Sequence, residues 1–304
     1  MSQSSRQSTN QARSLIVTLA PWLFVLLWST GFIGARLGLP YIEPFTFLAI
    51  RFVIAASLLT LLALLLRTPW PHGIAALGRI GVAGLLLHAG YLGGVFFAID
   101  HGMPAGVSAL VVSLQPILTA VIAQVILGER IGTRQWLGLG LGLLGVVMVI
   151  SEKLAFGGAI PLITASSMVG VSIALFSTTL GTIYQKRHGE QMPLLSGTAL
   201  QYVAAALIMA PLSLFTESRQ IAWTPQLLFA LAWLVLVLSL GAILLLLLLL
   251  RFNSTARVAS LFYLVPPSTA IQAYLIFGEA LGPLALLGLI VASVGVALVV
   301  IQRN

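Results

Sequence analysis

Runs of apolar residues long enough to cross a lipid bilayer follow one another along this chain, and no other feature constrains its fold as strongly. A helix spanning ~30 Å of hydrocarbon needs about 20 mostly apolar residues. Such runs lie at roughly 15–35, 45–66, 80–99, 105–127, 135–150, 161–184, 193–215, 226–250, 259–277 and 281–301. The fifth is short and leans on its flanks. Barrel strands alternate apolar and polar residues, whereas Leu244 to Leu250 is unbroken leucine, so helices are the expected element. Charged residues make up only 7% of the chain, against about 25% in a soluble domain, so water is not the main solvent.

The first residues, Met1 to Ser14, are polar and Ser/Gln-rich and read as a disordered tail. The run from Leu15 to Ala35 exceeds the ~7–15 residues of a secretory h-region, so a retained first span is expected. With no cysteine, disulfides, thiolate metal sites and thiol nucleophiles are excluded. In a soluble protein a net charge of +8 would suggest nucleic acid. Here the bases sit in short loops, where positive residues instead fix the orientation in the membrane. With a cytoplasmic N-terminus, the inside receives Arg6, Arg13, Arg67, Arg79, Arg130, Arg134, Lys186, Arg187, Arg251, Arg257 and Arg303. The outside receives only Arg36, Lys153 and Arg219, so both termini are placed in the cytoplasm.

The sequence also matches itself when slid by 150 residues. Gly31 falls on Gly181, Arg36 on Lys186, Phe52 on Tyr202, and Ala55–Ala56 on Ala205–Ala206. Pro116 meets Pro266, Gly128–Glu129 meets Gly278–Glu279, and Gly138 and Gly145 meet Gly288 and Gly295. Leucine abundance cannot produce coincidences of Pro, Gly and Glu. Five spans per copy is an odd number, so the copies enter the membrane from opposite sides. The expected fold is therefore an all-α integral membrane protein of ten transmembrane helices, arranged as two inverted five-helix repeats. The first repeat, with the tail, covers 1–153 and the second 154–304. Such halves can exchange conformations and expose a site between them to alternate sides.

Three features carry a family resemblance: the WSTGF run (Trp28–Phe32), the Arg51–Phe52 pair inside the second span, and the doubled Pro-x11-Gly-Glu. Together they resemble the EamA-type carriers of the drug/metabolite transporter superfamily over essentially the whole chain. The resemblance implies a bacterial inner-membrane exporter of amino acids and related metabolites, with a central cavity among helices 1, 3, 4, 6, 8 and 9. Gln201 stands where the first half has Arg51, so the halves differ at that level.

Mid-helix proline removes a backbone hydrogen bond and clashes with the carbonyl four residues earlier. Pro116 frees the Val112 carbonyl, and Pro266 and Pro267 free those of Phe262 and Tyr263, so these prolines are candidate hinges. Ordinary kink-packing competes with that reading. The candidate substrate-binding residues are polar or aromatic groups at membrane depth. They are Trp28 in span 1; His88 and Tyr91 in span 3; Ser108 and Gln115, with Thr119, in span 4; Thr178 and Thr182 in span 6; Ser239 in span 8; and Tyr263 in span 9. Neutral donors beside rings suit a zwitterionic or neutral solute with an apolar part, such as a hydrophobic or aromatic amino acid. Against this, Ser and Thr often bond their own helix backbone.

Arg51 is the one strongly basic side chain well inside a span. Such a charge needs a partner or a watery path. It could attract a substrate carboxylate; snorkelling, or pairing with Asp100 or a carbonyl, is the favoured reading. Glu129 and Glu279 end spans 4 and 9 and are expected to bind neighbouring N–H groups.

The seven acids all sit near span ends, which disfavours a cation-extruding pump. Proton coupling, if any, falls to His88. His72, His88, His101 and His188 lie on separate segments, no P-loop is present, and no metal, cofactor or enzymatic activity is expected. The expected partners are a small-molecule substrate and the bilayer, not nucleic acid. Gly138, Gly142 and Gly145 give one small-residue face, and Gly288, Ala292 and Gly295 another; they suit close helix contact and could serve a homodimer. The alternatives are a broad drug/metabolite exporter and a non-transporting membrane sensor or structural protein.

Overall fold

The computed structural model describes residues 3–103, 105–126, 128, 130–156, 164–277 and 282–300. Among the described residues every regular element is helical; the one β contact is an isolated antiparallel bridge, Ile42 to Ile221. The helices are α1 (Gln3–Gly38), α2 (Pro44–Leu65), α3 (Ile74–Asp100), α4 (Ala105–Val112), α5 (Gln115–Ile126) and α6 (Thr133–Phe156). They continue with α7 (Ala165–His188), α8 (Leu194–Thr216), α9 (Pro225–Phe252), α10 (Thr255–Ser260), α11 (Val265–Phe277) and α12 (Pro283–Val300).

Among the described residues, six helical segments are long and apolar enough to cross a membrane: Leu19–Tyr41, which includes the turn after α1, together with α2, α3, α7, α8 and α9. The polar N-terminal stretch, expected to be disordered, continues α1 back to Gln3. Extending a helix already nucleated gains one backbone bond per residue fixed, so a polar stretch can propagate where it could not nucleate. The expected short fifth span, 135–150, lies in the 24-residue α6.

The surface is inverted relative to a water-soluble protein. Leu65 is 70% exposed and Phe215 87%, while Ser29, His88, Ser108, Gln115, Thr119 and Ser239 are buried. Apolar outside and polar inside is the arrangement that hydrocarbon solvent selects. This is a multi-pass membrane protein.

The self-match recurs element by element. Helices α2, α4, α5 and α6 begin at residues 44, 105, 115 and 133; α8, α10, α11 and α12 begin at 194, 255, 265 and 283. The irregularities recur as well. Helix α3 widens into a π segment at Leu85–Gly90, and α9 does so at Leu234–Ala242. The α4–α5 helix breaks at Ser113–Leu114, just before Pro116, and the α10–α11 helix tightens to a 3₁₀ turn at Leu261–Leu264, just before Pro266. Both interruptions sit where the proline ring denies the helix a regular backbone bond.

Equivalent helices pack against one another, α2 on α8 and α6 on α12, and they run antiparallel. Thr46, near the start of α2, meets Ser213, near the end of α8, at 2.6 Å. Gly138 faces Gly295, and seven residues later Gly145 faces Gly288 and Ala292. A Cβ on Gly138 would lie 2.6 Å from the Gly295 carbonyl oxygen, and one on Gly295 would lie 2.6 Å from that of Gly138. Only glycine permits this crossing, and close backbone approach is what holds helices together in lipid. The small-residue face suggested for a homodimer is thus filled by the chain's own α12. Between the halves the contacts exchange in the same way, with α1 against the α9 π segment and α11, and α7 against α3 and α5.

Candidate functional site

The site forms among α1, α2, α3 and α9. Trp28, Gly31 and Phe32 from α1, Arg51 from α2, Leu87, Tyr91 and Phe96 from α3, and Leu238 and Ile243 from α9 line a narrow internal cavity of about 30 Å³. That is room for little more than water. Both matched π segments contribute, Leu87 from one and Leu238 from the other. A π turn inserts an extra residue into the helix and re-aims the side chains around it, which is why such segments gather at functional sites.

Trp28 and Tyr91 stack with ring centroids 6.1 Å apart and planes at 12°. Phe24 and Phe262 brace the far side of Trp28 at 5.1 and 5.4 Å. Arg51 is only 3% exposed, and its Nε donates to Ser239 Oγ at 3.0 Å. The Ser239 carbonyl accepts from the Tyr202 hydroxyl at 3.3 Å. Among the described residues Arg51 makes no ion pair. Asp100, its suggested partner, instead lies 3.5 Å from the neighbouring His101.

The other sequence candidates divide into two further groups. His88 lies behind the cavity wall, stacked on Tyr202 at 4.2 Å and near Phe52 at 6.2 Å, and neither ring nitrogen has a hydrogen-bond partner. Ser108, Gln115, Thr119, Thr178 and Thr182 form buried polar surface where α4 and α5 meet α7. Gln115 Nε2 donates to Thr182 Oγ1 at 3.2 Å, and Thr182 donates to the Thr178 carbonyl at 2.7 Å. Ser108 Oγ, Gln115 Oε1, Thr119 Oγ1 and the Tyr263 hydroxyl are buried with no partner. Tyr263 packs its ring on Gly142. Of the proposed substrate residues, then, Trp28, Tyr91 and Ser239 gather with Arg51, and the rest lie apart from that cavity.

The candidate hinge prolines Pro116, Pro266 and Pro267 are buried. Ser29 Oγ, in α1, donates to the Val25 carbonyl of its own helix at 2.6 Å and lies 3.3 Å from the Val265 carbonyl, while Thr269 Oγ1 donates to the Ser29 carbonyl at 3.3 Å. The start of α11 is thereby tied to the helix that carries Trp28. Sequence reasoning missed Ser29, because a serine beside a candidate tryptophan gives no sign of which carbonyl it will find. Glu129 and Glu279 lie outside the described residues. The capping role expected of them is seen at other acids. Glu152 Oε1 accepts from Leu284 N, in the first turn of α12, at 3.3 Å. Glu217 accepts from the N–H groups of Phe45 and Thr46 in the first turn of α2, both at 2.6 Å.

A helical membrane protein of two matched halves, with a buried, partly polar cavity between them, is the class these features define. The chain belongs to the EamA-like transporter family, whose sequence pattern matches it twice, over residues 15–151 and 165–301. Among similar proteins, "Uncharacterized transporter YvbV" of Bacillus subtilis is 28% identical over 295 residues, covering 90% of this chain and 88% of that one. "Uncharacterized inner membrane transporter YedA" of Escherichia coli K12 is 27% identical over 283 residues, covering 91% and 88%. A "Probable amino-acid metabolite efflux pump" of Salmonella typhimurium is 26% identical over 171 residues, covering 56% and 54%. A solved crystal structure superposes with a TM-score of 0.75 at 20% identity, covering 92% of this chain and 95% of the other, and so shares its fold.

Proposed function

We propose that this chain is a bacterial inner-membrane secondary transporter that exports amino acids, hydrophobic or aromatic ones first, and related small metabolites. Its ten spans form two inverted five-helix repeats, 1–153 and 154–304, with both termini cytoplasmic. Transport proceeds by alternating access through the cavity between them.

The observation that carries this reading is the cavity itself, where stacked Trp28 and Tyr91 stand beside Arg51 and helices of both halves supply the walls. Rings fit an apolar side chain and the polar groups fit the backbone end of an amino acid. Family membership supports transport, and the efflux pump of Salmonella typhimurium supports amino-acid metabolites as cargo.

At about 30 Å³ the cavity is far smaller than the ~300 Å³ or more of a ligand-filled pocket. Cargo therefore enters a more open state than this one. The unpartnered buried atoms of Ser108, Gln115, Thr119 and Tyr263 favour such a state. Each costs about 1–3 kcal/mol while dry, a cost recovered when the layer opens to water or cargo. The paired interruptions before Pro116 and Pro266 would serve as the bending points.

Flux of labelled phenylalanine, leucine and a toxic organic cation into proteoliposomes holding only the purified chain tests the reading. Saturable movement of the amino acids and not of the cation is expected. Equal movement of the cation would favour a broad drug exporter, and binding without flux would favour a sensor.

A further inference from the structure

An ionised side chain at membrane depth persists where something compensates it: a counter-charge, a network of acceptors, or a wet path. Arg51 is buried at the cavity wall, and the one hydrogen bond described for its guanidinium runs from Nε to the neutral Ser239 hydroxyl at 3.0 Å. No ion pair to it exists among the described residues, whose acids Glu43, Asp100, Glu190 and Glu217 sit at or beyond helix ends, while Glu152, inside the C-terminal part of α6, accepts from the first turn of α12. A guanidinium carries five N–H donors in a planar fork that matches a carboxylate with two parallel bonds. The matched position of the other half holds Gln201, bonded to Gln185 at 2.8 Å, so the cavity has this charge on one side only. Nothing described in the cavity offers a carboxylate to an ammonium group. The remaining walls are aliphatic or aromatic, and a cation would meet Arg51 uncompensated.

We propose that Arg51, held by Ser239, is the carboxylate subsite of the cavity, and that cargo is defined by a carboxylate on an apolar or aromatic body, with the α-amino group dispensable. This rests on the transport reading of the same cavity and narrows it. Aromatic amino acids and their deaminated acids form one substrate class, while the corresponding amines and alcohols fall outside it.

Four ligands with one phenyl body test the inference by calorimetric binding to the purified full-length chain: L-phenylalanine, 3-phenylpropionate, phenethylamine and L-phenylalaninol. The two carboxylates are expected to bind, and the amine and amino alcohol at least about tenfold more weakly, the scale of one charge-assisted pair. Arg51→Gln should remove carboxylate binding by about tenfold or more, Arg51→Lys less, and Ser239→Ala less again, because Ser239 only orients the fork. The wild-type ligand series decides the matter even if Arg51→Gln fails to fold. Equal binding of all four ligands, or no binding of either acid, overturns the subsite, as does a folded Arg51→Gln chain that binds both acids like wild type. Proteoliposome flux run alongside separates the two readings. Carboxylate-selective binding without flux ends the transport reading and keeps the subsite; flux of all four ligands at equal rates does the reverse.

Discussion

Arg51 Nε lies 3.0 Å from Ser239 Oγ, a bond that joins α2 of the first half to the π segment of α9 in the second. The two residues are 188 apart in sequence, and the contact fixes the one buried guanidinium described in the cavity. Ser239→Ala leaves that donor facing an apolar methyl group. The expected cost is about 1–3 kcal/mol of stability for a buried charged donor left unpaired, seen as a lower thermal midpoint in detergent. Ser239→Thr, which keeps the hydroxyl, should lose less.

The α6–α12 crossing depends on glycine at both contact points. Gly138→Leu or Gly288→Leu should lower folded yield while leaving substrate selectivity unchanged in whatever folds. The Gly138 change forces a side chain against the Gly295 backbone, costing about 1–3 kcal/mol or more. Size-exclusion recovery and competition assays separate yield from selectivity.

Two carboxylates clamp one end of the α2–α8 pair. Glu217 caps the first turn of α2, and Glu43, just before α2, accepts from the Ser218 N–H at 3.1 Å, the Ser218 hydroxyl at 3.0 Å and the Arg219 N–H at 2.6 Å. Burial opposes ionisation of Glu43, but the bonds from Ser218, Arg219 and Gln220 outweigh it and hold the carboxyl below its ordinary range. A carboxylate depressed by folding stabilises fully above its unfolded value and loses that contribution as pH falls through the folded one. The stability gap between wild type and Glu43→Gln should therefore be present at pH 7 and close below about pH 4. A gap unchanged down to acid pH would remove the clamp's ionic character.

The interruptions at Pro116 and Pro266 predict a kinetic effect. Pro116→Ala with Pro266→Ala and Pro267→Ala allows the missing backbone bonds to re-form and should straighten both helices. Turnover is expected to fall several-fold with binding affinity little changed, since conformational steps often limit such cycles. Unchanged turnover would leave bending at these points without a role.

His88 stacks on Tyr202 behind the cavity wall, so its ring matters there more than its nitrogens. His88→Phe should keep both flux and its pH profile, whereas His88→Ala should lose about 0.5–1.5 kcal/mol with the stacked pair. Loss of gradient dependence in His88→Phe alone would make the imidazole a proton carrier.

The overall design was legible because its signals are long or duplicated. Bilayer-length apolar runs need no partner to be recognised, and the shift relating Pro116 to Pro266 also places the two helix interruptions. The π segments were not legible, since Leu85–Gly90 and Leu234–Ala242 are ordinary apolar helix in composition and widen only in the packed bundle. At the site, Trp28, Tyr91 and Ser239 were recoverable as polar or aromatic groups at membrane depth. Their grouping with Arg51 was not, because it depends on how α9 crosses α2. The sequence leaves Arg51 to pair with Asp100 or a backbone carbonyl, or to snorkel. It points instead along the cavity wall, a choice set by the position of Ser239 and not by anything local to Arg51. The face of Gly138 likewise read as a contact surface without saying that its partner would be this chain's own α12.

Counterflow in proteoliposomes containing only the purified chain is the most direct test of carrier function. Vesicles loaded with unlabelled phenylalanine and diluted into a trace of labelled phenylalanine should accumulate label transiently above equilibrium, with no imposed gradient, and Arg51→Gln vesicles should not. No accumulation by the wild-type chain for any carboxylate-bearing apolar solute would contradict the alternating-access carrier proposed for this cavity.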